Sequence, residues 1–371
     1  MPSRIRNSLA AAGSVSDPEN GLWSWGIGGT GRTGHNNTTN YSSPVQVGAL
    51  TTWVDVVAGA YSGRAIKADG TLWTFGGAGS GQNGLGNTTV YSSPVQVGSL
   101  TTWASVAGTG EHVLATTTGG KLYVWGKNNV GQLGLGDTSN RSSPVQVGTG
   151  TDWAFVGTGY SHSFGIKTNG TLWVWGKNNV GQLGLGNQTG NSSPVQLGTL
   201  TTWAFAVGSG YSSMALKTDS TLWVWGSNNN GQLGLGNTTN YSSPKQVGAL
   251  TNWATVCIGS NNGLHALATK TDYTLWSWGN GTYGRLGRGN TTSYSSPVQI
   301  GSLTDWSTVS ANTQTSFAIK TDSTLWSWGG NTYGQLGHGN TTLLSSPVQV
   351  GSEEFWLTVH AASDNTLATG G

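Results

Sequence analysis

The phrase LWVWGKNNVGQLGLG at 172–186 has near copies fifty residues to either side, LYVWGKNNVGQLGLG and LWVWGSNNNGQLGLG. A repeat of this kind constrains the fold more than any other feature. Each copy must adopt the same small unit and bury its apolar faces on its neighbours. The Leu-aromatic-x-aromatic-Gly head begins at Leu22, Leu72, Leu122, Leu172, Leu222, Leu275 and Leu325, with five spacings of 50 residues and one of 53. Each head leads through a Gly-rich run to a Ser-Ser-Pro, and a tail then opens with Trp53, Trp103, Trp153, Trp203, Trp253, Trp306 or Trp356. A chain of 371 residues would ordinarily hold two or three domains. The repeat leaves one repetitive domain over 21–371, preceded by an arm over 1–20.

Within one unit, TLWVW, PVQVG, WAFV and FGIKT are short apolar or alternating runs bounded by Gly, Asn, Asp and Pro. That is a strand pattern, and it gives four strands per fifty residues with no competing helical period. In LWVW, Trp173 and Trp175 face one side of the strand while Leu172 and Val174 face the other. Both faces are apolar, so the strand must be covered on both. Four-stranded antiparallel sheets stacked face to face around an axis meet that demand. The expectation is an all-β, seven-bladed β-propeller.

The chain ends test this reading. The first head lacks a preceding tail and the last tail lacks a following head. Pairing of Asn365–Thr369 with Leu22–Trp25 would restore the missing hairpin and close the ring with strands from both ends.

Gly-Gln-Leu-Gly-Leu-Gly after Trp-Gly, together with Pro-x-x-Val and an Asp-Gly turn, resembles the regulator-of-chromosome-condensation repeat. The resemblance runs from Leu22 to about Thr369 and implies the propeller fold. The family's activities are diverse: nucleotide exchange on chromatin, ultraviolet reception in plants, inhibition of secreted enzymes. Function therefore has to be argued from sites.

Composition narrows the choice. Charged residues make up 8% of the chain and the net charge is +2, too little for a dedicated nucleic-acid surface. No apolar stretch approaches the about 18 residues of a membrane span, and the basic N-terminus lacks the apolar core of a secretory leader. The lone Cys257 allows no internal disulfide. All nineteen tryptophans fall on repeat positions, twelve in heads and seven opening tails, with Phe75 and Tyr123 in the two remaining head slots. They read as blade packing rather than as a light sensor, since each buried ring contributes on the order of 5 kcal/mol gross.

Glycine runs such as GIGGTG and GAGSG lack the helix and acidic residue of a dinucleotide loop. The six histidines show no ligand spacing, and the carboxylates show no catalytic pairing. No cofactor, metal or enzymatic activity is expected.

The informative signal is where the repeats disagree. Loops two to five keep a common phrase, whereas loop one reads Arg32-Thr33-Gly34-His35, loop six Arg285-Leu286-Gly287-Arg288 and loop seven Gln335-Leu336-Gly337-His338. Loops six and seven add Tyr283 and Tyr333. In a closed ring these three repeats are neighbours. Arg32, His35, Tyr283, Arg285, Arg288, Tyr333 and His338 are thus the candidate partner-binding residues, Arg and Tyr being favoured at binding hot spots. The arm, with Arg4, Arg6 and Leu9, is a candidate attachment.

The functional expectation is a non-enzymatic structural or binding propeller. A bacteriophage virion protein fits first, as a decoration or tail subunit displaying loops. Its partners would be other virion or surface proteins, a second copy of itself or a glycan. A secreted bacterial binding or inhibitor module, extracellular or on the cell surface, is the alternative. A chromatin or small-GTPase exchange factor fits less well, because no loop insertion exceeds three residues.

Overall fold

A computed structural model describes residues 20–260 and 263–371; Arg4, Arg6 and Leu9 lie outside the described residues. Seven four-stranded antiparallel sheets form the blades. Blade one combines both ends of the chain: Gly21–Gly26 and Tyr41–Gln46 with Trp356–Ala362 and Asn365–Gly370. Blade two is built from Trp53–Ala58, Ser62–Lys67, Leu72–Gly76 and Tyr91–Gln96. Blades three to seven follow in chain order over 103–146, 153–196, 203–246, 253–299 and 306–349. The tail strands that open with Trp touch one another around the axis and form the inner ring.

The two-faced strand behaves as its pattern demands. Leu172 and Val174 pack with Phe164, Trp203 and Trp225 toward blade five. Trp175 packs with Leu122, Val124 and Trp153 toward blade three. The apolar core is thus divided among the blade boundaries, where alternate residues of one strand serve two neighbours. Each head strand ends at a glycine such as Gly176, whose φ of +99° and close approach to the Ser161 carbonyl leave no room for a Cβ.

The closing strands pair as expected, in the register Leu22 with Thr369, Trp23 with Ala368, Ser24 with Leu367 and Trp25 with Thr366. Closure also reproduces a backbone bond that recurs between blades. The Trp103 N–H donates to the carbonyl of Gly70 at 3.0 Å, and Trp153 donates to Gly120 at 3.1 Å. For Trp53 the acceptor in the equivalent place is the Asn20 carbonyl, at 3.2 Å.

The two ends of the barrel differ. One end carries the tight turns between second and third strands. There Asp69 Oδ1 accepts from Thr71 Oγ1 at 2.6 Å, and Thr71 Oγ1 accepts from Trp73 Nε1 at 2.8 Å. The lysine opening each such turn lies over two indoles: Lys270 Nζ is 3.6 Å from the Trp276 ring centre and 5.1 Å from that of Trp253. Cation–π contacts of this kind hold the strand ends together. Blade three breaks the set coherently, with Tyr123 for Trp, Thr117 for Lys and Lys121 for Thr. The other end, the loop face, carries the inner turns between first and second strands and the long loops after each head.

Candidate binding face

A clasp repeated at loops three, four and six fastens the long loop to the next blade. The Gln132 carbonyl of loop three accepts from Trp175 Nε1 at 3.0 Å and from Ser163 Oγ at 2.8 Å, both in blade four. His112 of blade three completes the clasp, its Nε2 lying 2.9 Å from Ser163 Oγ. The serine proton is committed to the carbonyl, so the imidazole donates from Nε2. His162 with Ser213 and His265 with Ser316 repeat the arrangement at 2.9 Å. Burial holds these imidazoles neutral, with His112 and His162 both pushed down to about 3. The loop face is therefore a rigid platform whose loops are bonded to two blades each.

Side chains then decide the shape of each loop. Gln132 Oε1 accepts from the Val130 N–H at 3.0 Å, and Gln182 and Gln335 do the same for Val180 and Tyr333. Arginine has no acceptor to offer. In loops one and six, where Arg32 and Arg285 replace the glutamine, the backbone turns into short 3-10 segments at Gly29–Gly31 and Thr282–Gly284. Thr30 and Tyr283 take φ of +64° and +62° there.

Of the sequence candidates, Arg32 and Arg285 are buried. Arg32 donates to the carbonyls of Gly29 at 2.9 Å and Ala60 at 2.8 Å, and Arg285 to those of Thr282 at 2.9 Å and Thr313 at 2.7 Å. Burial lowers both pKa values, that of Arg285 to about 10; Asp364 and Tyr61 oppose the shift at Arg32. His35 and His338 are half-buried, with Nε2 at 2.8 Å from Ser24 Oγ and 2.9 Å from Ser327 Oγ. Burial lowers the pKa of both. Arg288 Nη1 donates to the Gln299 carbonyl at 2.7 Å. Only Tyr283 and Tyr333 stand out into solvent, 43% and 40% exposed.

The seven residues do lie in the neighbouring blades six, seven and one. Among the described residues the contact joining two of them is Arg285 over the Tyr283 ring at 5.7 Å. Each of the others is held by its own blade or the next.

A second group escaped the sequence reading. The inner turns of blades two to five carry Tyr61, Glu111, Tyr160 and Tyr211, with Lys127 and Lys177 opening the adjacent loops. Tyr61 and Tyr211 are 42% and 38% exposed. Glu111 Oε2 and Lys127 Nζ form an ion pair at 2.5 Å, and that bond raises the pKa of the lysine. Lys177 Nζ lies 5.1 Å from the centre of the Tyr211 ring. Burial raises the pKa of Tyr160, and Glu111 adds to the shift. The available signal was the variation among the equivalent turns GAY, TGE, GYS and SGY at 59–61, 109–111, 159–161 and 209–211, which keep the fifty-residue spacing but differ in residue type.

Comparison with known proteins agrees with this architecture. The model of the regulator of chromosome condensation (RCC1) repeat matches residues 19–66, 119–166, 169–216, 219–264, 274–319 and 322–369. A second model of the same repeat matches 103–132, 153–182, 204–232 and 306–335. The span skipped by the first contains the head with Phe75 in place of Trp. No curated protein matches the chain in sequence.

Among solved structures, yeast RCC1 (Prp20) bound to Kap60 superposes with a TM-score of 0.84 at 17% identity, over 99% of this chain and 93% of that one. Prp20p of Saccharomyces cerevisiae in a second structure gives 0.84 at 17% identity, over 99% and 96%. Human WBSCR16 gives 0.82 at 20% identity, over 95% and 100%. At such identities the likeness is one of fold. With six matched repeats that span most of its length, the chain belongs to the regulator of chromosome condensation (RCC1) repeat family.

Proposed function

We propose that this propeller is a non-catalytic binding module that engages its partner through the loop face. The observation that carries the reading is the display of Tyr61, Tyr211, Tyr283 and Tyr333, each about 40% exposed, on turns and loops bonded to the blades beneath. Tyrosine offers large contact area at low conformational cost, and a rigid support lowers the cost further. The low charge and near-identical polar repeats support a place on an assembled surface. A bacteriophage virion comes first, with a bacterial cell surface as the alternative.

Purification of the protein from its source decides the point. Co-sedimentation with virus particles, lost on replacing Tyr283 and Tyr333 by Ala, is the expected result. Recovery as a free protein that binds no particle would overturn the virion assignment.

The fold favours one other reading. Prp20p, which shares the architecture, has binding properties toward Gsp1p and histones. Nucleotide exchange on a small GTPase would replace the proposal with that activity.

A further inference from the structure

The inner turns of blades two to five differ from the rest of the ring. The slot just before the second strand holds Tyr61, Glu111, Ser161 and Tyr211 in these blades, but Leu264, Gln314 and Asp364 in blades six, seven and one. Tyr160 stands one residue earlier in blade four. These turns are packed against one another through their backbones. The Tyr160 N–H donates to the Ser209 carbonyl at 3.0 Å, joining blades four and five. A Cβ on Gly110 would meet the Tyr160 carbonyl at 2.5 Å, so the turn of blade three abuts that of blade four. Glu111 is thereby fixed beside Tyr160. Tyr61 is held through its carbonyl, which accepts from the Gly77 N–H at 2.7 Å, and the Arg32 guanidinium lies 5.2 Å from its ring centre.

From this arrangement we infer that the sector is a binding platform for an extended saccharide chain; the inference rests on the reading of the loop face as the binding face. The exposed tyrosine rings offer flat apolar surfaces to the C–H faces of pyranose rings. Glu111 is bonded to Lys127 through one carboxylate oxygen and has a second with which to accept hydroxyl protons. The ammonium groups of Lys127 and Lys177 donate to ring or hydroxyl oxygens. The turns between the rings are built mainly of Gly, Ser and Thr, with no large apolar side chain among them. A protein hot spot would need a dry, apolar centre, which these turns do not provide. Rings spaced from blade to blade suit a polymer that meets several at once, each weak contact raising the effective concentration for the next.

The test is calorimetric titration of the intact protein with oligosaccharides of increasing length, chosen from a glycan array. Affinity should rise with length. It should fall at least tenfold in Tyr61→Ala/Tyr211→Ala, survive in Tyr61→Phe/Tyr211→Phe, and stay unchanged in Tyr273→Ala, an exposed tyrosine in a tight turn at the opposite end. These side chains are exposed, so an unchanged melting temperature verifies folding. Absence of any bound glycan at millimolar concentration, or binding indifferent to Tyr61 and Tyr211, overturns the inference. If glycans fail while particles are still bound through the loop face, the saccharide platform falls and the binding-face reading stands.

Discussion

Arg64 donates from Nη1 to the carbonyl of Gly108 at 3.0 Å across the boundary between blades two and three. At the other boundaries this position is apolar: Leu114, Phe164, Met214, Leu267, Phe317 and Leu367, all fully buried. Arg64 is equally buried. Its Nη2 donates to Ser62 Oγ at 2.9 Å and toward the Gln82 carbonyl at 3.4 Å, while Nε has no partner among the described residues. The guanidinium thus reaches the loop carbonyl that a serine reaches in blade four. Burial without a carboxylate partner pushes its pKa down to about 9.

Replacing Arg64 by Met should therefore leave the protein as stable or more so. Exchange of a buried charge for a well-packed apolar side chain is neutral or gains roughly 1–4 kcal/mol. The Gln82 carbonyl keeps the Trp125 indole N–H at 3.0 Å. Arg64→Ala should instead cost ~2–5 kcal/mol through the cavity it leaves. Urea unfolding of the two variants checks the order. A methionine variant as unstable as the alanine one would mean that the charge itself holds this boundary.

Phe75 and Gly63 form a second coupled departure. A Cβ on Gly63 would lie 2.3 Å from the Phe75 ring, so the ring fills the space that Ser163 occupies in blade four. Gly63→Ser alone should destabilise by ~1–3 kcal/mol through overpacking. Gly63→Ser with Phe75→Trp should recover most of that loss by rebuilding the clasp on the Arg32 carbonyl. A double-mutant cycle reads the coupling, expected between about 0.5 and 3 kcal/mol.

The fold was readable because the repeat supplies its own controls. Seven heads and tails in register fix blade number, and the orphan Leu22 head and Trp356 tail point to closure. The site was less readable, for a physical reason. A departure from the common phrase marks a changed environment, whether that environment is a partner or the next strand. Arg32 for Gln looked outward in sequence, yet its guanidinium turns in to the Ala60 carbonyl. Arg64, in contrast, sits inside an alternating strand where its burial contradicts its residue type. It becomes conspicuous only when the equivalent residues of the other blades are set beside it. Tyr61 and Tyr211 keep the fifty-residue register with Glu111 and Ser161, but residue type varies freely in that slot, so it is their exposure in the structure that marks them.

Acid should unfold the ring through its buried histidines. Burial lowers the pKa of His112 and His162 to about 3 and that of His360 to about 4, from 6.5. His265 is also lowered well below its ordinary value. Each is neutral when folded, so below 6.5 the unfolded chain takes up protons first. Stability is complete above about 6.5 and falls as the pH drops toward 3, by up to ~1.4 kcal/mol per pH unit for each histidine. Thermal midpoints between pH 7 and 4 should decline steadily. His162→Gln should flatten the decline, and an unaltered slope would assign the acid sensitivity elsewhere.

The last prediction concerns whether His35 and His338 face a partner or their own blade. The heads of blades one, six and seven carry Ser24, Ser277 and Ser327 where blades three, four and five carry Val124, Val174 and Val224. The same three loops carry His35, Arg288 and His338 where those of the latter blades carry Leu135, Leu185 and Leu235. A polar pair has thus replaced an apolar pair within each blade. Ser24 Oγ donates to the Thr33 carbonyl at 2.7 Å, which leaves His35 to donate from Nε2. Ser24→Val strips both of a partner and should cost ~1–3 kcal/mol. Ser24→Val with His35→Leu should regain most of it, because the new pair matches Val124 and Leu135, which share one apolar cluster. Particle binding by the double variant should equal that of the parent, whereas Tyr283→Ala/Tyr333→Ala should weaken it. Loss of binding in the double variant, with its stability intact, would return His35 to the contact surface.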